Sequence, residues 1–326
     1  MKKPRIVILD IGTLSMTERQ RAWLGTMGEV TSYDRSAPSE MYERACDAEM
    51  VITTKCPFDA ELFDRLPKLK YVGVLGTGYD MIDIAAARER GITVTSVPDY
   101  CTAATAQHVF ALLLEMTNHA GSLSASVHEG RWSAATDFCF WDEPLEELAG
   151  LRLGIIGYGR IGQEVAKIAS AFGMEVIIRS REGQGDRDGF TAMNLEKLLE
   201  SCDVVTLHCP LTSQTSRLLN EERLSLMKKG SRVINAGRGE LIDEAALASA
   251  LESGHIRAAA VDVLSYEPPP ESNPLLKAPN CIITPHVAWA TTASIGRLID
   301  TTFGNLESFL DGAVVNEAED FETKPG

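Results

Sequence analysis

Residues 153–180 read "LGIIGYGRIGQEVAKIASAFGMEVIIRS" and decide the fold of the region around them. An apolar run, "LGII", leads into Gly157, Gly159 and Gly162 in the spacing G-x-G-x-x-G, and a helical pattern begins at once. A lone G-x-G-x-x-G is a weak signal; placed between a strand and a helix it becomes a dinucleotide-binding turn. Gly157 permits the tight turn, Gly159 lets backbone approach a pyrophosphate, and Gly162 lets the helix pack close to the strand. The amides at the helix N-terminus then face the anion.

The next strand ends in Arg179, Ser180 and Arg181, where an acidic residue would ordinarily bind the ribose hydroxyls of NAD. Two guanidiniums and a hydroxyl suit a 2′-phosphate, and a carboxylate would repel one. The local chemistry therefore favours NADP(H) over NAD(H), with NAD(H) still possible. The other reading is a solvated basic loop whose acidic partner is Glu182 or Asp186.

Outward from this stretch, short apolar runs alternate with helical patterns nearly throughout. "RIVILD", "EVTSY", "MVITT", "LKYVGVLG" and "ITVTSVP" read as strands before it. "LRLGIIG", "EVIIR", "DVVTLHC", "SRVINAG", "RAAAVDV" and "CIITPH" form a second series. Continuous apolar strands separated by helices predict parallel sheets covered on both faces, hence two doubly wound α/β units. Between the two series lie a long helical pattern, "TAATAQHVFALLLEMTNHA", and a polar, aromatic segment, "EGRWSAATDFCFWDEPLEEL". The terminal pattern "TASIGRLIDTTFGNLESFL" follows the last strand and is free to return to the first unit.

The chain of 326 residues, 44% hydrophobic and 24% charged, is large enough for two cores. Its formal net charge of -15 argues against nucleic acid or an anionic membrane as main partner. The basic, apolar start is interrupted by Asp10 and reads as a first core strand, not a signal peptide. Seven scattered cysteines, without a C-x-x-C pair or a zinc spacing, fit reduced thiols, a cytoplasmic location and no metal.

Three polar strand ends follow in the second unit: Arg238 in "VINAGRGELID", Asp262 and Glu267 in "AAAVDVLSYEPPP", and His286 in "IITPHVAWAT". Ligands of doubly wound sheets sit outside the carboxyl ends of the strands, so these residues can converge beside the cofactor. A histidine can donate a proton to a developing alkoxide, and a neighbouring carboxylate fixes its tautomer. An arginine can grip a carboxylate through two parallel hydrogen bonds. Singly, each has a dull alternative: a surface ion pair, a solvated loop charge, a hydrogen-bonded strand-end histidine. Of the other histidines, His108 and His119 read as packing or hinge residues on the long helix. His208 reads as a residue that shapes the cofactor edge through backbone contacts.

Together, "GIIGYGRIG", "LHCPLTSQT", "INAGRGELIDEAAL", "AAVDVLSYEPPPESNPLL" and "ITPHVAWAT" resemble the D-isomer-specific 2-hydroxyacid dehydrogenases. "VGVLGTGYDMIDIAAARERGITVTSVPDY" resembles the substrate-domain loop of the same family. Within it, "DFCFWD", "VLSYEPPP" and "HVAWAT" are closest to glycerate dehydrogenase/hydroxypyruvate reductase.

The resemblance implies a discontinuous, flavodoxin-like substrate domain, residues 1–100 plus 290–326. It implies a Rossmann cofactor domain, residues 101–289, with a cleft between the two and a homodimer formed through the latter. His286 would be the general acid of reduction, Glu267 its partner, and Arg238 the anchor of the substrate carboxylate. Amides around Gly76, Thr77 and Gly78 would hold that carboxylate's other side, and Leu75 would limit the size of the substrate pocket. Asp262 would meet the nicotinamide carboxamide, Thr105 would approach the cofactor, and Arg160 and Ile161 would lie on the pyrophosphate. The matching motifs place His208, Cys209, Pro210, Thr215, Ala236, Gly237 and Ala288 on the cofactor as well. Lys55 stays open between facing the substrate and ordinary solvated surface, and Trp141 between limiting pocket size and lying near a partner subunit's active site.

The implied activity is NADPH-preferring reduction of hydroxypyruvate or glyoxylate to D-glycerate or glycolate. Another 2-keto acid such as pyruvate is the alternative substrate. A dinucleotide-sensing protein similar to the C-terminal-binding corepressors is the alternative of a different class. Ser180 stands where the family usually has an acid, and Glu267 argues against the formate dehydrogenase branch, which carries a glutamine there.

Overall fold

The computed structural model describes residues 3–180 and 185–319. The chain forms two compact units, Met1–Tyr100 with Ala290–Gly326, and Cys101–Trp289. Both are α/β with wholly parallel sheets. Among the described residues, no helix is long and apolar enough to cross a membrane.

The first unit runs β1 (Arg5–Ile8), α1 (Glu18–Met27), β2 (Glu29–Ser32), α2 (Pro38–Ala45), β3 (Met50–Thr53), α3 (Ala60–Asp64), β4 (Tyr71–Val74), α4 (Ile84–Glu89) and β5 (Thr93–Thr95). Its strands lie in the order β2-β1-β3-β4-β5. β3 and β4 are buried at every residue, as strands covered on both faces must be.

The second unit runs α5 (Thr102–Asn118), α6 (Ala120–His128), β6 (Arg152–Ile156), α7 (Arg160–Ala171), β7 (Glu175–Arg179), β8 (Thr191–Met193), α8 (Leu195–Ser201), β9 (Val204–Leu207), α9 (Glu221–Leu226), β10 (Ser231–Asn235), α10 (Glu244–Glu252), β11 (Ile256–Val261) and β12 (Cys281–Ile283). Its seven strands lie in the order β12-β11-β10-β9-β6-β7-β8, so the winding reverses between β6 and β9. Separate apolar clusters cover the two faces, one around Leu198, Val205 and Leu247, the other around Val109, Leu113 and Val165.

Two elements depart from the sequence reading. β8 is an extra edge strand, held where the Ala192 amide donates to the Asp186 carboxylate. The long helical pattern breaks at His119, whose φ of 50° caps α5, and α6 then starts without a single buried residue.

After the second unit, α11 (Thr292–Leu310) packs on α1 and β4 of the first. Thr291 caps it by accepting from the Ser294 amide. The Gln20 side chain donates to Asp300 at 2.7 Å, Asn305 donates to the Ser96 carbonyl, and Phe303 meets Trp23 edge-on with centroids 5.8 Å apart. Phe303 is fully buried. Phe303→Ala should therefore cost about 3–5 kcal/mol, the usual range for a large aromatic removed from a core. The shift in denaturant midpoint of the first unit measures it.

Candidate active site

The strand register of the second unit sets its carboxyl edge. Ile156 pairs with Leu207, Leu207 with Asn235, Asn235 with Val261, and Val261 with Ile283. One residue further on, Gly157, His208, Ala236, Asp262 and Thr284 form a line across the sheet. On the other side of β6, Ile155 pairs with Ile178, so Arg179 and Ser180 continue that line. From Ser180 to Thr284 is five strand spacings, about 24 Å at ~4.8 Å each.

At the reversal between β6 and β9 the backbones nearly touch. A Cβ on Gly157 would lie 2.3 Å from the Cys209 amide nitrogen, and its φ of +103° also requires glycine. A Cβ on Gly162 would lie 2.2 Å from the Gly157 carbonyl oxygen, so that glycine sets the approach of α7 to β6. Gly159 is different: a Cβ there would meet nothing within 4 Å, and no intramolecular contact calls for glycine. Gly159 is also the N-cap of α7, without side-chain capping and with no acid in the first turn. The N-cap residue thus brings no side chain to the first turn of α7, and the helix end is suited to an anion.

His208 sits beside this turn. Its Nε2 bonds Thr206 Oγ1 at 2.9 Å, while Nδ1 is buried with no hydrogen-bond partner among the described residues. Burial pushes the imidazole down to about 4, so it is neutral at neutral pH. A buried, unsatisfied nitrogen at the reversal point is a natural contact for a bound molecule. Burial also pushes the Cys209 thiol up, against the nearby Arg179 charge. The following loop closes on itself: Thr215 Oγ1 donates to the Pro210 carbonyl at 2.7 Å and accepts from the Thr212 amide. Arg179 and Ser180 are half-buried at the end of β7, and the Ser180 amide donates to Met193. Arg181 and Glu182 lie outside the described residues.

The loop after β10 is held by buried Asn235, whose Nδ2 donates to the Arg238 carbonyl and whose Oδ1 accepts from the Gly237 amide. Arg238 Nη1 donates to the Gly237 carbonyl at 3.0 Å. A Cβ on Gly239 would lie 2.0 Å from the Leu264 carbonyl carbon, so this loop rests directly on the loop after β11.

That second loop carries Glu267, which accepts at Oε1 from the Leu264 amide and at Oε2 from His286 Nδ1, 2.7 Å away. The bond fixes the tautomer: Nδ1 bears hydrogen toward Glu267, and Nε2 is the nitrogen left for proton exchange. His286 has φ of 54°, a left-handed conformation that costs a non-glycine residue about 1–3 kcal/mol. Its amide donates to the Asp262 and Thr284 carbonyls.

Asp262 is only 1% exposed. Its Oδ1 accepts from Thr284 Oγ1 at 2.6 Å and the Val287 amide at 2.9 Å, and its Oδ2 accepts from the Ala288 amide at 2.8 Å. Burial alone would raise this carboxyl; hydrogen bonds from His108, Thr284, Val287 and Ala288 outweigh it and hold the carboxyl below its ordinary value. The carboxylate is thus held in place by the loop that follows β12. Thr105 is buried in the first turns of α5.

In the first unit, Leu75–Gly78 follow β4 at the sheet's carboxyl edge. The Leu75 amide donates to Thr53, the Val97 amide to Gly76, and Thr77 Oγ1 donates to the Val97 carbonyl. Lys55 is exposed on the neighbouring loop, which Asp10 gathers by accepting from the Thr54 and Lys55 amides. Trp141 is exposed in the segment after α6. Among the described residues, no group of His, Cys, Asp and Glu could hold a metal ion.

Residues 110–288 match the D-isomer specific 2-hydroxyacid dehydrogenase, NAD binding domain. The chain belongs to that dehydrogenase family. It is 44% identical over 317 residues to hydroxypyruvate reductase of Blautia hydrogenotrophica, covering 96% of this chain and 98% of that protein. It is 38% identical over 318 residues to glycerate dehydrogenase of Methylorubrum extorquens, covering 97% and 99%. A solved NADPH-dependent glyoxylate/hydroxypyruvate reductase from Sinorhizobium meliloti, in complex with NADP and malonate, superposes with TM-score 0.84 at 30% identity, covering 97% of each chain.

In this dehydrogenase, several supporting residues escaped the sequence reading. Asn235 was visible only as a polar residue closing a strand, and His108 as part of an apolar helix, yet it bonds Thr284. The glycine turn separates two roles that a variant pair can resolve. Gly157→Ala should lower thermal stability by several degrees, through the clash with residues 208–209. Gly159→Ala should leave stability within about 0.5 kcal/mol, as substitutions away from packed features do. Dinucleotide affinity, measured by calorimetry, should fall at least tenfold in Gly159→Ala.

Proposed function

We propose that this chain is an NADPH-preferring reductase of small 2-keto acids, taking hydroxypyruvate or glyoxylate to D-glycerate or glycolate. The observation that carries the proposal is the 2.7 Å bond between His286 Nδ1 and Glu267, at the sheet edge that also bears the glycine turn. The names of the Blautia and Methylorubrum relatives support a small 2-keto acid as substrate and a nicotinamide cofactor as reductant.

Gly159, the uncapped start of α7 and the unsatisfied His208 Nδ1 fit a dinucleotide on this edge. Arg160 and Ile161 would flank the pyrophosphate, with Thr105, Cys209, Pro210, Thr215, Ala236, Gly237 and Ala288 lining the remainder. Asp262 would hydrogen-bond the nicotinamide carboxamide. Arg179, Ser180 and Arg181 would take the 2′-phosphate. The NADPH dependence named for the Sinorhizobium enzyme supports the same preference.

When bound, the reduced cofactor supplies the hydride. Arg238 binds the substrate carboxylate, and in the same reading the Gly76, Thr77 and Gly78 amides serve it too. His286 Nε2 gives its proton to the carbonyl oxygen as negative charge develops there. Glu267 holds the imidazole by Nδ1 and so keeps Nε2 aimed for the transfer. The reverse oxidation uses His286 as base. A homodimer formed through the cofactor unit is part of the proposal. It is supported by α6, which buries nothing, and by Phe138 and Trp141, 88% and 60% exposed beyond it.

Steady-state rates over a 2-keto acid panel including pyruvate, with each cofactor, test the reading. NADPH should give the higher kcat/KM, and Arg179→Ala should raise the KM for NADPH far more than for NADH. A higher kcat/KM for NADH defeats the cofactor claim, and negligible turnover across the panel defeats the enzyme claim. His286→Ala should lower kcat by about 10²–10⁴ with cofactor affinity retained, the usual contribution of a general acid.

A further inference from the structure

His286 and Glu267 are not the sole histidine–carboxylate pair at this edge. His108 projects from α5, which packs against β10 and β11, and its Nε2 lies 3.0 Å from Thr284 Oγ1 and 3.4 Å from Asp262 Oδ1. Thr284 Oγ1 donates its one proton to Asp262 Oδ1 at 2.6 Å. That hydroxyl can then only accept from His108, so Nε2 carries hydrogen. The donors run in one direction, from His108 through Thr284 to Asp262.

The far end of this chain is the loop that presents His286. Three successive amides are tied to Asp262: His286 to its carbonyl, Val287 and Ala288 to its carboxylate. A buried carboxylate with these acceptances must stay ionised and keep its orientation. His108, whose Nε2 also lies near Asp262 Oδ1, is among the groups that oppose the effect of burial on this carboxyl.

We infer that His108 is a positioning residue for the reaction: through Thr284 it fixes the Asp262 carboxylate, and through that carboxylate the left-handed backbone of His286. His108 touches neither substrate nor reacting atoms. The inference rests on the reductase reading for its effect on rate, but its structural core is independent of the reaction catalysed.

The test uses the full-length protein saturated with NADPH, comparing wild type with His108→Leu, His108→Gln, Thr284→Val and the His108→Leu/Thr284→Val double variant. Two readouts are taken: steady-state kinetics with hydroxypyruvate, and amide hydrogen exchange of residues 286–288. His108→Leu should lower kcat about tenfold with KM within twofold, and those amides should exchange about tenfold faster. His108→Gln keeps an N–H donor at the Nε2 position and should return kcat and exchange to within threefold of wild type. The double variant should lose no more than the worse single variant, because both break one chain.

Unchanged kcat and exchange in His108→Leu overturn the inference. So does a His108→Gln variant as impaired as His108→Leu with losses that multiply in the double variant, which would mark a packing role. If wild type reduces no 2-keto acid, the functional reading falls alone, and the exchange comparison decides whether His108 holds the loop.

Discussion

A carboxylate removed from water must have its lone pairs met, and Asp262 meets them with a hydroxyl and two backbone amides. The site depends on that requirement. The amides it takes belong to the residues that follow His286, so satisfying the carboxylate shapes the turn that aims the imidazole. His286 accepts a left-handed backbone because its own amide is bound twice in that conformation. Strain at one residue is thereby offset by hydrogen bonds at its neighbours.

Parallel pairing supplies the setting. A shared register brings the ends of β6, β9, β10, β11 and β12 into line, so residues distant in sequence come to one edge. At the reversal of the winding between β6 and β9, Gly157 meets the 208–209 backbone with no room for a side chain. Side-chain hydrogen bonds then act locally, within a loop or between adjacent loops: Asn235 on its own turn, Glu267 on His286, Thr215 on Pro210.

Much of this was legible in the sequence, for physical reasons that also mark where legibility ends. The strands are continuous apolar runs because both faces of each sheet are covered, and the glycine turn announces itself through steric need. The pairing of Glu267 with His286 could be anticipated from complementary chemistry at successive strand ends. β8 could not, since "TAM" is short and lies at an edge, where a side chain of a preceding loop pins it. The break at His119 was hidden because no glycine or proline marks it. Asp262 was recognised as a site residue, but the bonds that hold its carboxylate, from Thr284, Val287 and Ala288, depend on loop geometry that residue patterns do not encode. His108 was concealed by the helix around it, whose apolar spacing made packing the natural reading.

The contact at Gly239 links the loop bearing Arg238 to the loop bearing Glu267, with no room for even a methyl group between them. The two segments therefore form a single mechanical piece. Insertions tolerated in most surface connections would here displace both the arginine and the carboxylate at once. Anyone wishing to graft a different acid-recognition loop onto this scaffold would have to transplant residues 236–241 and 262–267 as one cassette.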